Sequence, residues 1–428
     1  MSIDSQSIVR SVDGDRLQAD IETNASFGSI PVDKGEGRTV LTGTPANRAA
    51  REYLIERMTD AGLEIRIDPV GNIAGRYDPT TSQSSRAPVA TGSHLDSVPE
   101  GGIFDGVLGV YGALEAVRAL QDAEIDLERP VEVVCFTEEE GGRFADGVLG
   151  SSVACRKRSV ESALALKDED GTTLEDALTA IDASGTDQID ARSWDSWLEL
   201  HVEQGERLES AGKAAGIVTA ITGTVRCSIE ITGEANHSGS TAMNDRTDAL
   251  AAASELVLTV EATSEELVEH TSESLVGTVG SLSLSPNAVN VVPGTVTLGL
   301  DVRDVQTETI ETVIDRVRTT LDRLEAERGV ETEFERPYNI DPIEMDDRCQ
   351  NALSAAAAAG DIDTLKLHSG AGHDTMHVGT VTDAGMIFAP SRDGISHSPR
   401  EWTDWSDATA TTRVLTGGIA RLAGGLSE

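Results

Sequence analysis

Hydrophobic and polar positions in the first part of this chain predict a layer of helices and buried strands. In the segment TPANRAAREYLIERMTDAG, residues Ala50, Leu54, Ile55 and Met58 recur at helical spacing, and Gly62 is expected to end the helix. The segments APVATGSH and PVEVVCFTEEE are short continuous apolar runs, which are typical of strands buried on both faces of a sheet. Because FDGVLGVYGALEAVRALQDA between them predicts a helix, the order strand, helix, strand indicates an α/β fold.

The middle of the chain shows a different pattern. The segment VRCSIEITGEA alternates as a half-buried strand, and DRTDALAAASELVLTVEA predicts a helix with Asn244 or Asp245 as its N-cap. Three further strands are predicted in SLVGTVGSLSLSP, AVNVVPG and TVTLGLDVRD, and TETIETVIDRVRTTLDRLEAERG predicts a long amphipathic helix. This order indicates a separate α+β domain over residues 222–334.

The α/β pattern resumes after the middle segment, in CQNALSAAAAAG, TVTDAGMIFAP and a closing helix. The sequence therefore predicts one discontinuous α/β domain, residues 1–221 and 335–428, interrupted by the inserted α+β domain.

Charge excludes several classes of partner. Acidic residues number 74 against 34 basic ones, and the net charge is −40. Such a chain repels nucleic acid and anionic membranes, so neither is expected as a partner. At molar salt the Debye length is only ~3 Å, which screens the repulsion between surface carboxylates. We therefore expect a protein from a halophilic source, with an ordinary acidic protein as the alternative.

The compartment is predicted from what the chain lacks. No apolar run approaches the ~18 residues that indicate a membrane span, and the first residues, MSIDSQSIVRSVDGD, lack a basic-then-apolar signal. We expect a cytoplasmic protein. The four cysteines show no CxxC spacing, so we expect them to be reduced and mostly buried.

The histidines are the first candidates for functional residues, because most of them lie among small residues and close to acidic residues. The segment GSHLDSVPEGGIFDGVLG contains His94, Asp96 and Asp105, and imidazole with carboxylate suits zinc or a similar divalent metal. On an extended strand, His94 and Asp96 fall on one face, so the carboxylate could orient the imidazole ring. For Asp105, which precedes a helix, a role as helix N-cap is an equally good alternative.

Other candidates also follow predicted strands. His201 lies in WLELHVEQGERLE, His397 lies in the loop segment PSRDGISHSPREWT, and FTEEEGGRF places three glutamates after an apolar run. Ligands of open α/β sheets gather at the carboxyl ends of the strands, so these positions favour a metal site. If two metals bind, one carboxylate must bridge them and another group must act as base.

Eight motifs follow one another along the chain: GSHLDSVPEGGIFDGVLGV, VVCFTEEEGGRF, LELHVEQG, GEANHSGSTAMNDRTDAL, NVVPGTV, DVRD, SGAGHDTM and SRDGISHSP. Together they resemble the amidase, or carbamoylase, branch of the M20 peptidase family. That branch includes N-carbamoyl-L-amino acid hydrolases, β-ureidopropionases and allantoate amidohydrolases. The similarity extends from about residue 20 to near residue 420, and it implies a dinuclear metallohydrolase domain with a mixed sheet and an inserted lid and dimerisation domain.

The resemblance implies a role for each candidate ligand. Asp105 would bridge two divalent ions, zinc or else manganese, cobalt or nickel. His94 and His201 would complete the ligands of one ion, and Glu140 and His397 those of the other. Glu139 would be the general base, and Asp96 would support His94. Glu138 receives no comparable role, so water or a local hydrogen bond is expected for it.

Substrate contacts are also implied by the resemblance. Arg303 would bind the substrate carboxylate with its planar fork, with Asn290, Gln204 and the backbone of Gly372 nearby. His237 would reach the active site of a dimer partner and stabilise the oxyanion. From the residues alone, an ion pair for Arg303 and turn-capping roles for Asn290 and His237 are the alternatives. The chain has Thr241-Ala242-Met243 where the family usually has Thr-Pro-Met, which is expected to loosen a turn.

The implied activity is hydrolysis of the terminal ureido bond of an N-carbamoyl-L-amino acid, which releases ammonia and carbon dioxide. The implied partner is a second copy of the chain, bound through the lid domain, and hinge closure on the substrate is expected. Allantoate, or the substrate of a β-ureidopropionase, is the alternative. A dipeptidase or aminoacylase is disfavoured because the peptidase branch usually has a carboxylate at the position of His201. A metal-binding dimer without catalysis is a further alternative.

Overall fold

The computed structural model of the protein describes residues 10–79, 85–145 and 147–425. The chain divides into two compact units. The first combines Met1–Thr219 with Met345–Glu428, and the second is Ala220–Glu344. The sequence places the end of the inserted domain at residue 334, whereas the second unit continues to Glu344. The difference arises because residues 331–340 form a strand that pairs with the first strand of the second unit.

The secondary structure comprises seventeen strands and twelve helices within the described ranges. The strands are β1 (Ser29–Ile30), β2 (Gly37–Arg38), β3 (Glu64–Ile67), β4 (Ile73–Tyr77), β5 (Val89–His94), β6 (Val131–Phe136), β7 (Ser196–Val202), β8 (Ala215–Ile221), β9 (Gly223–Thr232), β10 (Asn236–His237), β11 (Val276–Ser285), β12 (Val291–Val292), β13 (Thr295–Asp304), β14 (Glu331–Ile340), β15 (Ile343–Glu344), β16 (Thr364–Ser369) and β17 (Asp383–Ala389). The helices are α1 (Gly14–Ala25), α2 (Pro45–Asp60), α3 (Val107–Asp122), α4 (Leu149–Ala154), α5 (Val160–Leu164), α6 (Leu174–Ala180), α7 (Arg207–Ala211), α8 (Ala249–His270), α9 (Thr307–Arg328), α10 (Asp347–Ala359), α11 (Thr375–Val378) and α12 (Trp405–Leu422).

The first unit is built on a mixed sheet. Its strand order is β8-β17-β7-β5-β6-β4-β3, with β16 paired to β8. The four central strands β17, β7, β5 and β6 run parallel, whereas β8, β4 and β3 are antiparallel to their neighbours. Strands β5, β6 and β7 are buried along their whole length, and β5 and β6 are the two strands that the sequence predicts from continuous apolar runs. The predicted α/β class is confirmed.

Helix α3 packs unusually close to this sheet. A Cβ atom at Gly109 would lie 2.3 Å from the carbonyl oxygen of Leu200 and 2.6 Å from the Cβ of Ser93, so only glycine permits this approach. Nearly every residue of α3 is buried. The helix therefore lies directly against the two strands, β5 and β7, that carry His94 and His201.

Local signals set both ends of helix α2, and its C-terminal end is the one that the sequence predicts. Thr44 accepts a hydrogen bond from the backbone N–H of Asn47, and Pro45 opens the first turn. Gly62 follows the helix with a φ of 76°, a conformation that favours glycine. Leu54 and Met58 are fully buried on the predicted face.

The second unit is an antiparallel sheet covered by two helices. The strand order is β11-β13-β9-β14, and α8 and α9 pack against the sheet around a core of aliphatic residues. The predicted strand TVTLGLDVRD is β13, and every second residue along it is buried. The short strands β10 and β12 pair with each other.

The predicted cap of helix α8 was wrong. Asp248 is the N-cap, and its carboxylate accepts a hydrogen bond of 3.0 Å from the backbone N–H of Ala251. Asn244 and Asp245 instead lie in a short 3-10 turn, and the chain is extended again at Arg246. The helix begins where the apolar periodicity begins, at Ala249, so the acid immediately before it is the one that can reach the free N–H groups.

Two expectations about the whole chain can be compared with the structure. All four cysteines are free and buried, as predicted. None of the helices in the described ranges combines the length and the apolar character that crossing a membrane requires.

The close pairing of β5 and β6 predicts a large penalty for Gly92→Ala. A Cβ at Gly92 would lie 1.8 Å from the carbonyl oxygen of Val134, which is backbone and cannot move aside. We expect a loss of about 3 kcal/mol or more in the free energy of unfolding, or no folded protein, because overpacking a core displaces the backbone. Gly280→Ala on β11 is the control, since its Cβ would meet no atom within 4 Å. Equal stability of the two variants in urea denaturation would contradict this account of the sheet.

Candidate metal centre

Four parallel strands bring the predicted side chains to one edge of the first unit's sheet. His94 is the last residue of β5, and Glu138–Glu140 follow β6 directly. His201 lies at the carboxyl end of β7, and His397 lies in the loop that follows β17. The carboxyl ends of neighbouring parallel strands meet at one edge, which is the usual position of a ligand site in α/β sheets.

Asp105 joins two of these histidines into a buried group. Its Oδ1 atom lies 3.5 Å from His94 Nε2 and 3.2 Å from His201 Nε2. All three side chains are buried, and their ligand atoms lie within 4.8 Å of one another. Asp105 is not a helix N-cap, because Gly106 occupies that position. A Cβ at Gly106 would lie 2.4 Å from the imidazole of His94, so glycine leaves the space that the ring fills.

The other oxygen of Asp105 belongs to a second group. His397 Nε2 lies 3.5 Å from Asp105 Oδ2 and 3.3 Å from Glu140 Oε2. His397 is about half exposed and has a left-handed backbone with φ of 53°. Asp105 is therefore shared by two groups of three donors, His94–Asp105–His201 and Asp105–Glu140–His397.

The donors fit divalent cations. Among the described residues, His94 Nε2 and Glu140 Oε1 are buried without any hydrogen-bond partner. Burial, together with the nearby Asp105 carboxylate, raises the pKa of Glu140 to about 8. Unpaired buried donors and crowded carboxylates are costly unless a cation joins them. Imidazole and carboxylate together suit zinc, manganese, cobalt or nickel.

Glu139 lies beside the first group. Its Oε2 atom is 3.6 Å from His94 Nε2. Burial raises the pKa of Glu139 well above its usual range, and the carboxylates of Asp374, Glu140 and Asp96 act in the same direction, although the His94 imidazole opposes them. In the absence of a cation this carboxyl therefore holds a proton readily, which is the property that a general base must have.

Asp96 supports the glutamates more directly than it supports His94. Its two carboxylate oxygens accept hydrogen bonds from the backbone N–H groups of Glu139, at 3.3 Å, and Glu140, at 3.1 Å. The Nδ1 atom of His94 lies 3.1 Å from the backbone carbonyl oxygen of Asp96 and 3.7 Å from its carboxylate. The carbonyl group thus orients the ring, while the carboxylate fixes the turn that presents the two glutamates.

Glu138 is a structural member of the run of three glutamates. Its side chain is buried, and Oε1 accepts hydrogen bonds from the backbone N–H groups of Arg143, at 2.6 Å, and Phe144, at 2.7 Å. The expected local hydrogen bond is present, whereas exposure to water is not. Burial and the Asp96 carboxylate raise the pKa of Glu138.

Two predicted substrate residues lie in the first unit. Gln204 Nε2 donates to Asp105 Oδ2 at 2.8 Å and lies 3.4 Å from His397 Nε2, so the structure brings this side chain to the donor groups that share Asp105. Its φ of 58° is left-handed. Gly372 is exposed and lies in the loop between β16 and α11.

The other predicted substrate residues lie in the second unit, where each has local contacts. Exposed His237 accepts hydrogen bonds at Nδ1 from the backbone N–H groups of Gly239 and Ser240. The carbonyl oxygen of Asn290 accepts a bond from the N–H of Ser238. The Nε atom of Arg303 donates to Asp301 at 2.8 Å, which is the ion pair considered as its alternative role.

At the departure from the family pattern, Ala242 has a φ of −62°. Proline would impose the same value, so alanine keeps the backbone conformation of the turn there.

Sequence reasoning missed three residues that support the site. Glu199 accepts bonds from Ser93 and Thr375, and the ring of His373 lies 4.4 Å from that of His201. Glu401 accepts bonds of 3.0 Å from the N–H groups of Phe104 and Asp105. Spacing could have found two of them, since Glu199 precedes His201 by two residues on one strand and Glu401 shares a loop with His397. The approach of His373 depends on tertiary packing.

Comparison with known proteins finds similar sequences over most of the chain. The sequence model of Peptidase family M20/M25/M40 matches residues 90–421. The N-carbamoyl-L-amino-acid amidohydrolase of Paenarthrobacter aurescens is 37% identical over 405 residues, which cover 94% of this chain and 96% of the relative. The allantoate amidohydrolase of Bacillus subtilis (strain 168) is 34% identical over 371 residues, which cover 86% and 88%.

A solved structure shares the fold. The crystal structure of an amidase of the hydantoinase/carbamoylase family from Burkholderia multivorans has a TM-score of 0.88 and 35% sequence identity. The similarity covers 96% of this chain and 98% of that one. These findings confirm the resemblance that the sequence motifs carry.

The acidity of the site predicts that cation binding depends on pH. With a pKa of about 8, Glu140 holds a proton at pH 7 in the metal-free protein, and a cation must displace it. The apparent Kd for Co²⁺ should therefore fall as pH rises from 7, by up to about tenfold per pH unit for each displaced proton, and level off above the pKa. Calorimetric titration in buffers with different heats of ionisation counts the protons released. An affinity that is constant or weakens over this range would contradict the prediction.

Proposed function

The chain belongs to peptidase family M20/M25/M40, and from that premise we propose that it hydrolyses the terminal ureido C–N bond of an N-carbamoyl-L-amino acid. It is a hydrolase of non-peptide C–N bonds. The observation that carries the proposal is the pair of donor groups that share Asp105, with Glu139 beside them.

We assign two divalent ions to these donors. His94, Asp105 and His201 would hold one ion, and Asp105, Glu140 and His397 would hold the other. Zinc is the first choice, with manganese, cobalt or nickel as alternatives. When bound, the ions supply a positive field that lowers the pKa of water and polarises the carbamoyl carbonyl group.

Glu139 moves the proton in the proposed reaction. As water adds to the carbamoyl carbon, a C–O bond forms and Glu139 accepts a proton from the water. Glu139 then gives this proton to the terminal nitrogen as the C–N bond breaks, and ammonia leaves. The remaining group is a carbamic acid, whose hydroxyl proton passes to the amino nitrogen as the C–N bond breaks, so that carbon dioxide leaves and the amino acid remains. His237 donates a hydrogen bond to the oxyanion in this proposal.

The substrate is a small ureido carboxylate. Arg303 would bind its carboxylate through two parallel hydrogen bonds, as guanidinium groups do. Asn290, Gln204 and the backbone of Gly372 would bind the remaining polar atoms. The bond from Gln204 to Asp105 supports a position for that side chain next to the reacting groups.

A homodimer through the second unit completes the proposal. Strand β11 forms an edge of the four-stranded sheet, and its sequence VGTVGSLSLS carries no charged side chain. Val276 and Leu282 on this strand are exposed. An uncharged edge strand is a template for pairing with another chain, and a second copy of this chain is the proposed partner. A monomer in sedimentation experiments would contradict this assembly.

A substrate panel tests the function. The protein, freed of metal and reloaded with zinc, manganese, cobalt or nickel, is incubated in molar salt with N-carbamoyl-L-amino acids, their D enantiomers, N-carbamoyl-β-alanine, allantoate, ureidoglycolate, dipeptides and acylated amino acids. We expect ammonia from the L-carbamoyl compounds and none from their enantiomers. Faster release from allantoate or N-carbamoyl-β-alanine would favour those substrates instead. Cleavage of dipeptides without ammonia, or metal binding without any turnover, would contradict the proposal.

The run of three glutamates supplies its own matched control. Glu139→Gln should retain its metal and lose turnover by about 10²–10⁴-fold, because an amide cannot accept the proton. Glu138→Gln should remain near wild-type activity, since an amide oxygen can still accept the two backbone hydrogen bonds at that position. Metal content by mass spectrometry and kcat are measured for both. Similar kcat values for the two variants would show that Glu139 is not the base.

A further inference from the structure

The segment Gly101–Asp105, which delivers Asp105 to the metal centre, is held from both sides. On one side, Glu401 Oε1 accepts the backbone N–H groups of Phe104 and Asp105, at 3.0 Å each. On the other side, the backbone N–H of Arg38 donates to the carbonyl oxygen of Gly101 at 3.0 Å, and Arg38 Nε donates to that of Gly102 at 3.1 Å. The carboxyl group of Glu401 thus binds two donors of this segment, and Arg38 binds two of its acceptors, one through the guanidinium group and one through the backbone N–H.

Arg38 also reaches the strand end that carries His94. One terminal nitrogen donates to the carbonyl oxygen of Leu95 at 3.3 Å, and the other donates to Asn24 Oδ1 at 2.8 Å. One guanidinium group therefore binds the residue that follows His94 and a residue three positions before Asp105, and these two proposed metal ligands are eleven positions apart in the chain. Its fixed planar shape is what allows these directions to be set together.

The charge of Arg38 is unusual for its surroundings. The side chain is fully buried, and across residues 10–79, 85–145 and 147–425 no carboxylate lies within ion-pair distance of it. Burial lowers the pKa of Arg38, whereas the more distant carboxylates of Glu401 and Asp105 oppose that effect. A buried cation without a direct partner is costly, so the structure retains it against a penalty. Its hydrogen bonds all go to neutral oxygens of the backbone and of one amide.

We propose that Arg38 is a positioning residue for the metal centre. Together with Glu401 it acts as a clamp on Gly101–Asp105 and thereby holds the carboxylate of Asp105 where both donor groups can share it. The inference rests on the metal centre of the proposed function. Groups that hold metal ligands in place affect metal affinity even though they do not touch the ion.

Arg51 provides a matched control within the same unit. It is also a buried arginine, and it also donates to backbone carbonyl oxygens, those of Gly71 at 2.5 Å and Ala183 at 3.4 Å. Those residues belong to neither Gly101–Asp105 nor the strand ends that carry the ligands. Arg38→Lys and Arg51→Lys both retain a positive charge and both lose the planar fork.

The test compares Co²⁺ binding by metal-free wild type and the two lysine variants. Calorimetric titration and the visible absorption of bound cobalt report affinity and ligand geometry, and thermal unfolding of the metal-free proteins reports stability. We expect Arg38→Lys to weaken the apparent Kd by about 10–100-fold and to change the cobalt spectrum. Arg51→Lys should leave both within about twofold of wild type, although it also lowers the melting temperature.

A third variant covers the case in which Arg38→Lys does not fold. Gly102→Ala places a Cβ 2.5 Å from the Cβ of buried Glu401, so it displaces the clamped segment from the other side. It should weaken cobalt binding in the same way. Unchanged cobalt affinity in Arg38→Lys or, where that variant does not fold, in Gly102→Ala would overturn the clamp, as would equal losses in the Arg38 and Arg51 variants.

The outcomes also separate the clamp from the function. Wild type that binds no cobalt would contradict both the metal centre and the clamp. Cobalt binding with the expected order of variants, but without hydrolysis of any ureido substrate, would contradict only the proposed activity and leave the clamp supported.

Discussion

The shared carboxylate of Asp105 is the constraint on which the first unit depends. Its Oδ1 atom faces His94 and His201, and its Oδ2 atom faces His397. These side chains can converge because β5, β7 and β17 are parallel and end at one edge of the sheet. The glycine-rich face of α3 lets this helix lie close to the sheet, so the loop before it places Asp105 within reach of all three histidines.

Acidic groups serve two different purposes in this protein. Most of the carboxylates behind the net charge of −40 lie at exposed positions, where water and salt screen them. Around Asp105, by contrast, Asp96, Glu139, Glu140 and Glu401 are largely removed from water, and burial raises the pKa of the three glutamates. Backbone N–H groups bind Asp96 and Glu401, and two donor groups are left for cations.

Prediction from sequence succeeded where local spacing carries the information. Buried parallel strands can appear as continuous apolar runs, so the strands that end at His94 and before Glu138 were recognisable, as was helix α2 from its apolar spacing and Gly62. It failed for the cap of α8, since Asn244, Asp245 and Asp248 are all suitable residue types and only the backbone path selects one. It also ended the inserted domain too early, because the strand 331–340 is defined by its partner β9.

The three glutamates also show which features of the site follow from local sequence and which follow from tertiary contacts. The sequence by itself determined that carboxylates and histidines follow buried strands, because strand period and chain order are local properties. Strand period alone does not distinguish Glu138 from Glu140, and it was the family resemblance that gave Glu140 a ligand role and left Glu138 without one. The tertiary structure adds the contacts: Glu138 accepts hydrogen bonds from the N–H groups of Arg143 and Phe144, and Glu140 faces His397. Only the tertiary structure revealed Arg38 next to the loop of Asp105. Side-chain direction and contacts between distant segments depend on how the whole chain packs, which no short stretch of sequence encodes.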